Sequence, residues 1–285
     1  MRLGDGLRGI ALGHWRFAGQ NVETADRLVR TALDAGITVI DTADIYGLDR
    51  PGGFGSAEML LGEVLARDPS LRGRFSLLTK GGIDAKRPYD SSRAYLMGAL
   101  ERSLGRLGVE RVELYQIHRP DLTVSLAELA DTLDAMVESG RVGAVGVSNF
   151  TPAQTRALAA HMDAPLATLQ PEFSVLHQDP ITDGTLDLAE ELGATVLAWS
   201  PLGGGRLFTR DGPVQQAVRK IAKQRDLTPT QVALAFTRTV GATVVPIIGS
   251  QNPERIVEAV KAANLVLGGR DFYDIVEAYR GEGMP

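Results

Sequence analysis

An alternation running through almost the whole chain does most to narrow how it can fold. Short apolar runs rich in β-branched residues are each followed by a longer stretch of helical period. Strands buried on both faces read as such runs, and parallel strands need a helical crossover between them, so the pattern calls for a parallel sheet built from right-handed βαβ units. The runs fall at residues 8–13, 37–42, 75–80, 112–118, 142–148, 166–170, 195–200 and 243–249. Helical segments fall between and after them at 22–35, 56–66, 92–107, 125–139, 152–161, 182–192, 229–240, 253–263 and 271–280. Eight strands in strict alternation with helices predict an α/β fold, a closed (β/α)8 TIM barrel formed as a single domain over residues 1–285. The competing arrangement, an open α/β sheet, commonly has fewer strands. Helix starts agree with the pattern: Thr151-Pro152, Thr228-Pro229 and Asn252-Pro253 each set a capping side chain before a proline suited to the first helical position.

Composition removes several classes of function. The chain has no cysteine, which excludes disulfides, thiol catalysis and cysteine-ligated zinc. Its net charge of −5, with both signs interspersed, leaves no basic stripe for nucleic acid and no polybasic anchor for a membrane. The opening residues MRLGDGLRGI lack the basic head and apolar stretch of a secretory leader, and no window approaches the ~18 apolar residues of a spanning helix. A cytoplasmic protein is expected, with no nucleic-acid or membrane partner. No cluster of histidines and carboxylates has obvious metal-ligand spacing, so no metal site is expected.

In such a barrel, residues at the C-terminal strand ends face one shared mouth. The polar groups there are Gly13-His14-Trp15, Asp41, Lys80, His118, Ser148-Asn149, Gln170, Trp199-Ser200 and Gly249-Ser250. A lysine and an aspartate at neighbouring strand ends are costly to bury unless paired, so Asp41 and Lys80 are expected to pair. Tyr46 follows closely after Asp41. A Lys80 ammonium about 4 Å from its oxygen would favour phenolate by roughly 4 kcal/mol, or about three pKa units, an upper limit because burial opposes it. The sequence therefore suggests a phenol brought towards neutrality, with His118 donating to a developing oxyanion. Such a site suits proton delivery to a carbonyl oxygen, and the accompanying hydride requires a bound cofactor.

The other side of the mouth fits one. Ser148, Asn149 and Gln170 offer donors and acceptors for a carboxamide, and Trp199 a flat face for an aromatic ring. The turn Gly249-Ser250-Gln251-Asn252-Pro253 leads from strand to helix, so free backbone N–H groups at a positive helix terminus are expected there, with Arg255 in the first turn. The glycine-rich stretch 47–55 lacks both phosphate-loop spacings and is expected to be a flexible wall beside Tyr46.

Seven ordered segments resemble the aldo-keto reductase superfamily from about residue 9 to residue 263: DTADIYG (41–47), LLTK (77–80), YQIHRPD (115–121), GVSNF (146–150), QPEFS (170–174), AWSPLG (198–203) and PIIGSQNPERI (246–256). The resemblance implies a (β/α)8 barrel and NAD(P)H-dependent, reversible reduction of aldehydes or ketones. It casts Tyr46 as general acid, Lys80 and Asp41 as its activating pair, and His118 as the group that orients the carbonyl. Cofactor contacts are expected from Gly13, His14, Trp15, Asp41, Ser148, Asn149, Gln170, Trp199, Ser200, Leu202, Gly249, Ser250, Gln251 and Arg255. Arg255 favours NADPH, with NADH possible, because Gly249 to Gln251 include no lysine or arginine and Ala259 stands where many members have an asparagine near the adenine. The substrate is expected to be a small carbonyl compound in a comparatively open pocket, with Trp15, Phe54 and Tyr89 as lining. The alternatives are a catalytically weak, NADP(H)-binding redox-sensing subunit and a phosphate-binding barrel of hydrolase or isomerase type.

Overall fold

All eight apolar runs become parallel strands that close on one another. A computed structural model describes residues 7–86 and 88–285, so most of the N-terminal stretch read above as lacking a leader, residues 1–6, lies outside the described residues. The strands are β1 (Ala11–Gly13), β2 (Val39–Asp41), β3 (Ser76–Gly81), β4 (Val112–Ile117), β5 (Val142–Ser148), β6 (Leu166–Gln170), β7 (Thr195–Trp199) and β8 (Val244–Ile248). They pair in sequence order and β8 returns to β1, which is the closed barrel rather than the open sheet.

Helices α1 (Val22–Asp34), α2 (Ser56–Arg67), α3 (Arg93–Leu107), α4 (Leu126–Glu138), α5 (Pro152–Ala159) and α6 (Thr185–Leu192) follow the first six strands. After β7 come α7 (Arg206–Thr209), α8 (Pro213–Arg225) and α9 (Pro229–Arg238), and after β8 come α10 (Pro253–Val260) and α11 (Gly269–Arg280). The expected caps are present. Thr151 and Thr228 each form a reciprocal capping box with the glutamine three residues on, and Asn252 accepts from the first turn of α10. The sequence reading omitted α8, which begins on Pro213 after Gly212 with no side-chain cap, although Val214, Val218, Ile221 and Ala222 are all buried along one face.

Two apolar layers hold the barrel. Inside it pack Leu7, Ala11, Val39, Leu78, Leu114, Leu197, Val245 and Ile247; the larger cluster fills the space between strands and helices. Each such side chain contributes roughly 1.5–3 kcal/mol on burial. The inner layer also sets the site. Side chains alternate along a strand, so the positions two residues beyond Val39, Leu78 and Leu114 point inward as well, and these are Asp41, Lys80 and Gln116. Register carries the polar layer around the ring, with Gly13 beside Asp41, Lys80 beside Gln116 and Ser148 beside Gln170. Among the described residues no helix is long and apolar enough to cross a membrane, and no group of histidines and carboxylates could hold a metal ion.

Candidate active site

Lys80 is fully buried, and its Nζ donates to Asp41 Oδ2 at 2.7 Å and to the Thr42 carbonyl at 2.7 Å. Burial alone would lower its pKa. The Asp41 carboxylate, with Tyr46, more than reverses that, so the lysine pKa stands above its ordinary value and the ammonium is held charged. The other Asp41 oxygen accepts from Gln170 Nε2 at 3.0 Å, which fixes the carboxylate from β6, across the barrel.

Tyr46 lies in the turn after β2, half-buried, with Lys80 Nζ 4.9 Å from the centre of its ring. Its carbonyl accepts from the Ala57 amide at the start of α2, which anchors the turn. The expected direction of its pKa is corrected here. Burial pushes the phenol up by more than the Lys80 charge pulls it down, so it stands above its ordinary value and keeps its proton at neutral pH. The His118 ring meets Tyr46 edge-on at 5.7 Å. Its Nδ1 is buried without a partner among the described residues, and burial, then the charges of Lys80 and Arg119, hold its pKa well below the usual histidine value. The imidazole is neutral.

The polar residues of β5, β6 and β7 connect to this group in one chain of hydrogen bonds. Trp199 Nε1 donates to Asn149 Oδ1 at 3.0 Å, and Asn149 Nδ2 donates to Ser148 Oγ at 2.8 Å and to the His118 carbonyl at 3.1 Å. Ser148 Oγ in turn donates to the Gln170 carbonyl at 2.9 Å. Asn149 and Ser200 both sit at positive φ, 60° and 50°, a conformation that asparagine tolerates and that turns the chain back at the mouth.

Other predicted residues fall differently. The His14 ring is fully buried, stacks on Phe17 at 4.0 Å and leaves both nitrogens without a partner among the described residues. It presents no ring atom to a ligand, because the turn after β1 folds it inward while Trp15 is left 52% exposed. Gly13 packs so tightly that a Cβ there would lie 2.8 Å from Ile247 Cγ2. Leu202 is half-buried against the core, and Ala259 is buried in it. Gly249 borders open space, and Arg255 is exposed. Gln251 Nε2 donates to the Arg16 carbonyl.

The expectation of free amides at the start of α10 is corrected. The Glu254 and Arg255 amides both donate to Asn252 Oδ1, at 2.8 and 3.2 Å, and the Asn252 amide donates to Ser250 Oγ at 3.2 Å. The wall after Tyr46 is buried at its two ends, Gly47 and Gly55, and exposed at residues 48–52 between them. Gly47, Gly52, Gly53 and Gly55 all have positive φ, and a Cβ on Gly47 would overlap the Ser56 hydroxyl. Phe54 turns to the outer side, its ring beside the Arg106 guanidinium. Sequence reasoning missed a buried polar group behind the site, formed by Asp44, Glu58 and Tyr115; the second acid of DTAD, three residues after Asp41, was its only signal.

A sequence model described as the aldo/keto reductase family matches residues 9–280. The 6-dehydroglucose reductase of Novosphingobium aromaticivorans is 48% identical over 282 residues, covering 97% of this chain and 93% of that protein. Among solved structures, the glycerol dehydrogenase of Gluconobacter oxydans has a TM-score of 0.84 at 27% identity, covering 97% of this chain and 93% of that one. An aldo/keto reductase from Klebsiella pneumoniae, solved with NADP and acetate, has a TM-score of 0.82 at 26% identity, covering 95% and 91%.

Proposed function

The chain belongs to the aldo/keto reductase family of NAD(P)H-dependent oxidoreductases, and from that premise we propose that it reduces an aldehyde or ketone to the alcohol with NADPH, Tyr46 supplying the proton. The observation that carries this reading is the enclosed Lys80–Asp41 pair beneath a half-buried phenol. A phenol that holds its proton through the neutral range is a general acid in the reductive direction. Once the proton leaves, the charge on Tyr46 falls beside an ammonium that Asp41 and the Thr42 carbonyl keep in place, and this stabilises the product state without reorganisation. Neutral His118, beside Tyr46, offers an N–H to the carbonyl oxygen.

The nicotinamide cofactor supplies the hydride when bound. The residues present fit it: Gly249 leaves room for close approach, and Arg255 is an exposed cation a few residues on. Ser148, Asn149 and Gln170 would hold the carboxamide, Trp199 would stack, and Gly249, Ser250 and Arg255 would hold the phosphate end. Arg255 supports NADPH over NADH through the extra phosphate. The 48% identity to a 6-dehydroglucose reductase favours a sugar aldehyde as substrate. Trp15 and Tyr89, 52% and 41% exposed, offer flat faces for the apolar side of a sugar ring. A redox-sensing subunit would need only the nicotinamide side, so the complete acid set favours the enzyme. The lack of cysteine fits a cytoplasmic setting.

Tyr46→Phe tests the mechanism. Turnover of 6-dehydroglucose and of a nitrobenzaldehyde should fall about 10²–10⁴-fold while NADPH still quenches tryptophan fluorescence. Unchanged turnover rejects the acid assignment, and turnover of the nitrobenzaldehyde alone rejects the sugar assignment.

A further inference from the structure

Behind Lys80 lies a buried acid that the chemistry above does not use. Asp44 is 1% exposed, and among the described residues its carboxyl has no side-chain hydrogen-bond partner, only the neighbouring Ile45 amide beside it. Its amide donates to the Lys80 carbonyl at 3.0 Å, which pins it to β3. Nearby, Glu58 of α2 is fully buried, accepts from Thr79 Oγ1 at 2.5 Å and pairs with Arg106 of α3 at 2.7 Å. The Tyr115 hydroxyl of β4 is also buried and unpartnered. A Cβ built on Gly81 would overlap that hydroxyl and come within 3.2 Å of Asp44 Oδ2, so both groups occupy the space that the glycine leaves.

The charged and titratable groups around Asp44 are Glu58 from α2, Arg102, Arg106 and Tyr95 from α3, Tyr115 from β4, and Tyr46 from its own turn. Lys80, whose carbonyl holds the Asp44 amide, directs its ammonium to Asp41. Arg106, the cation that acts most strongly on Asp44, is committed to Glu58, and Arg102 lies against the Tyr95 ring. A second carboxylate in that space would be an unpaired buried charge.

We propose that Asp44 is a positioning residue that works as the uncharged acid, filling the space behind Lys80 without setting a further negative charge against Tyr46. The proposal rests on Tyr46 being the proton donor. Burial, and then repulsion from Glu58, push the Asp44 pKa up to about 8 against the pull of Arg106, the Ile45 amide and Arg102. Above that pH the ionised acid disfavours charge on Tyr46, and reduction slows.

Asp44→Ala, which empties the space, should lower kcat at least about tenfold at pH ~6.5, and Asp44→Asn, which keeps the shape without the charge, should restore it. The Asn variant should then gain on the unsubstituted enzyme in melting temperature as pH rises from ~5 to ~8, where only the unfolded acid is ionised, and in kcat/KM as pH rises from ~7.5 to ~9.5, where the folded acid ionises. An Asn variant as poor as the Ala variant at pH ~6.5, or a ratio of activities flat with pH, overturns the proposal. The melting comparison needs no catalysis: a Tm gap that widens with pH beside an active Tyr46→Phe would fault the Tyr46 assignment and not the protonation of Asp44. Should the Asn variant not fold, infrared spectra of the unsubstituted protein replace it. The carbonyl stretch of a protonated carboxyl must disappear as pH passes ~8, and a spectrum without that band overturns the proposal.

Discussion

Removing one charge of the Lys80–Asp41 pair should cost more stability than removing both. The pair is 2.7 Å apart, with side chains 0% and 3% exposed. At an effective dielectric of about 20 its attraction is of order 6 kcal/mol, a gain largely offset by taking both ions out of water. Asp41→Asn leaves the ammonium beside neutral oxygens with no counter-charge, and Lys80→Met leaves the carboxylate with the Gln170 amide and no cation. Each single change therefore strands a buried charge, a loss of about 3–5 kcal/mol. The double variant strands none and should lose only about 1–2 kcal/mol, an interaction energy of at least about 4 kcal/mol. Urea unfolding of the four proteins at one pH, with equal slopes, reads these differences from the midpoints. All three variants should also lose turnover, because the charge beside Tyr46 is gone or no longer held. Losses that add to within about 0.5 kcal/mol would show that the two groups do not depend on each other, and the account of the site would fail with them.

His14→Phe should protect the protein against acid. Burial lowers the His14 pKa to about 3, so only the unfolded chain takes up its proton as pH falls below ~6.5, and stability is lost over that range; at pH ~4.5 the loss removed is about 2.7 kcal/mol, measurable as a midpoint shift absent at neutral pH. His118, whose pKa is held well below the usual value, should leave no inflection near pH ~6.5 in kcat/KM for reduction, and a clear inflection there that His118→Gln removes would refute its neutral assignment. Gly62→Ala should cost about 1–3 kcal/mol in the same urea assay, since a Cβ there overlaps the Arg106 carbonyl oxygen and must push α2 from α3.

Strand positions were legible because a strand buried on both faces must be apolar throughout, and because the polar residue that ends each run marks the barrel mouth. The same logic brought Asp41, Lys80 and His118 together, and the Trp199–Asn149–Ser148 chain with them. What escaped the sequence depends on balances among neighbours. Whether Lys80 outweighs burial at Tyr46 is a competition of two large terms, visible only when the packing is known. Asn252 was legible as a cap, yet its consequence, that the amides it caps are no longer free for a phosphate, required the geometry. Asp44 was hidden because nothing near it in the chain reveals Glu58, Arg106 and Tyr115, which arrive from α2, α3 and β4. His14 at a strand end read as a rim residue, but the turn after β1 carries its ring inward onto Phe17.

The barrel is least securely laced at β1. That strand has three residues and meets each neighbour through two residue pairs, whereas β4 and β5 share five. A ring of staves opens where the stitching is thinnest, so fluctuations that part the barrel locally would start at this seam rather than opposite it. Trp15 and Arg16 hang from the seam, with the Arg16 side chain reaching the Gly204 carbonyl and its own carbonyl held by Gln251. Slackening at β1 would release both ties together, and although Gly13 lies beside Asp41, β2 stays paired with β3, which carries the lysine, so a long ligand could exchange along this edge while the ion pair holds.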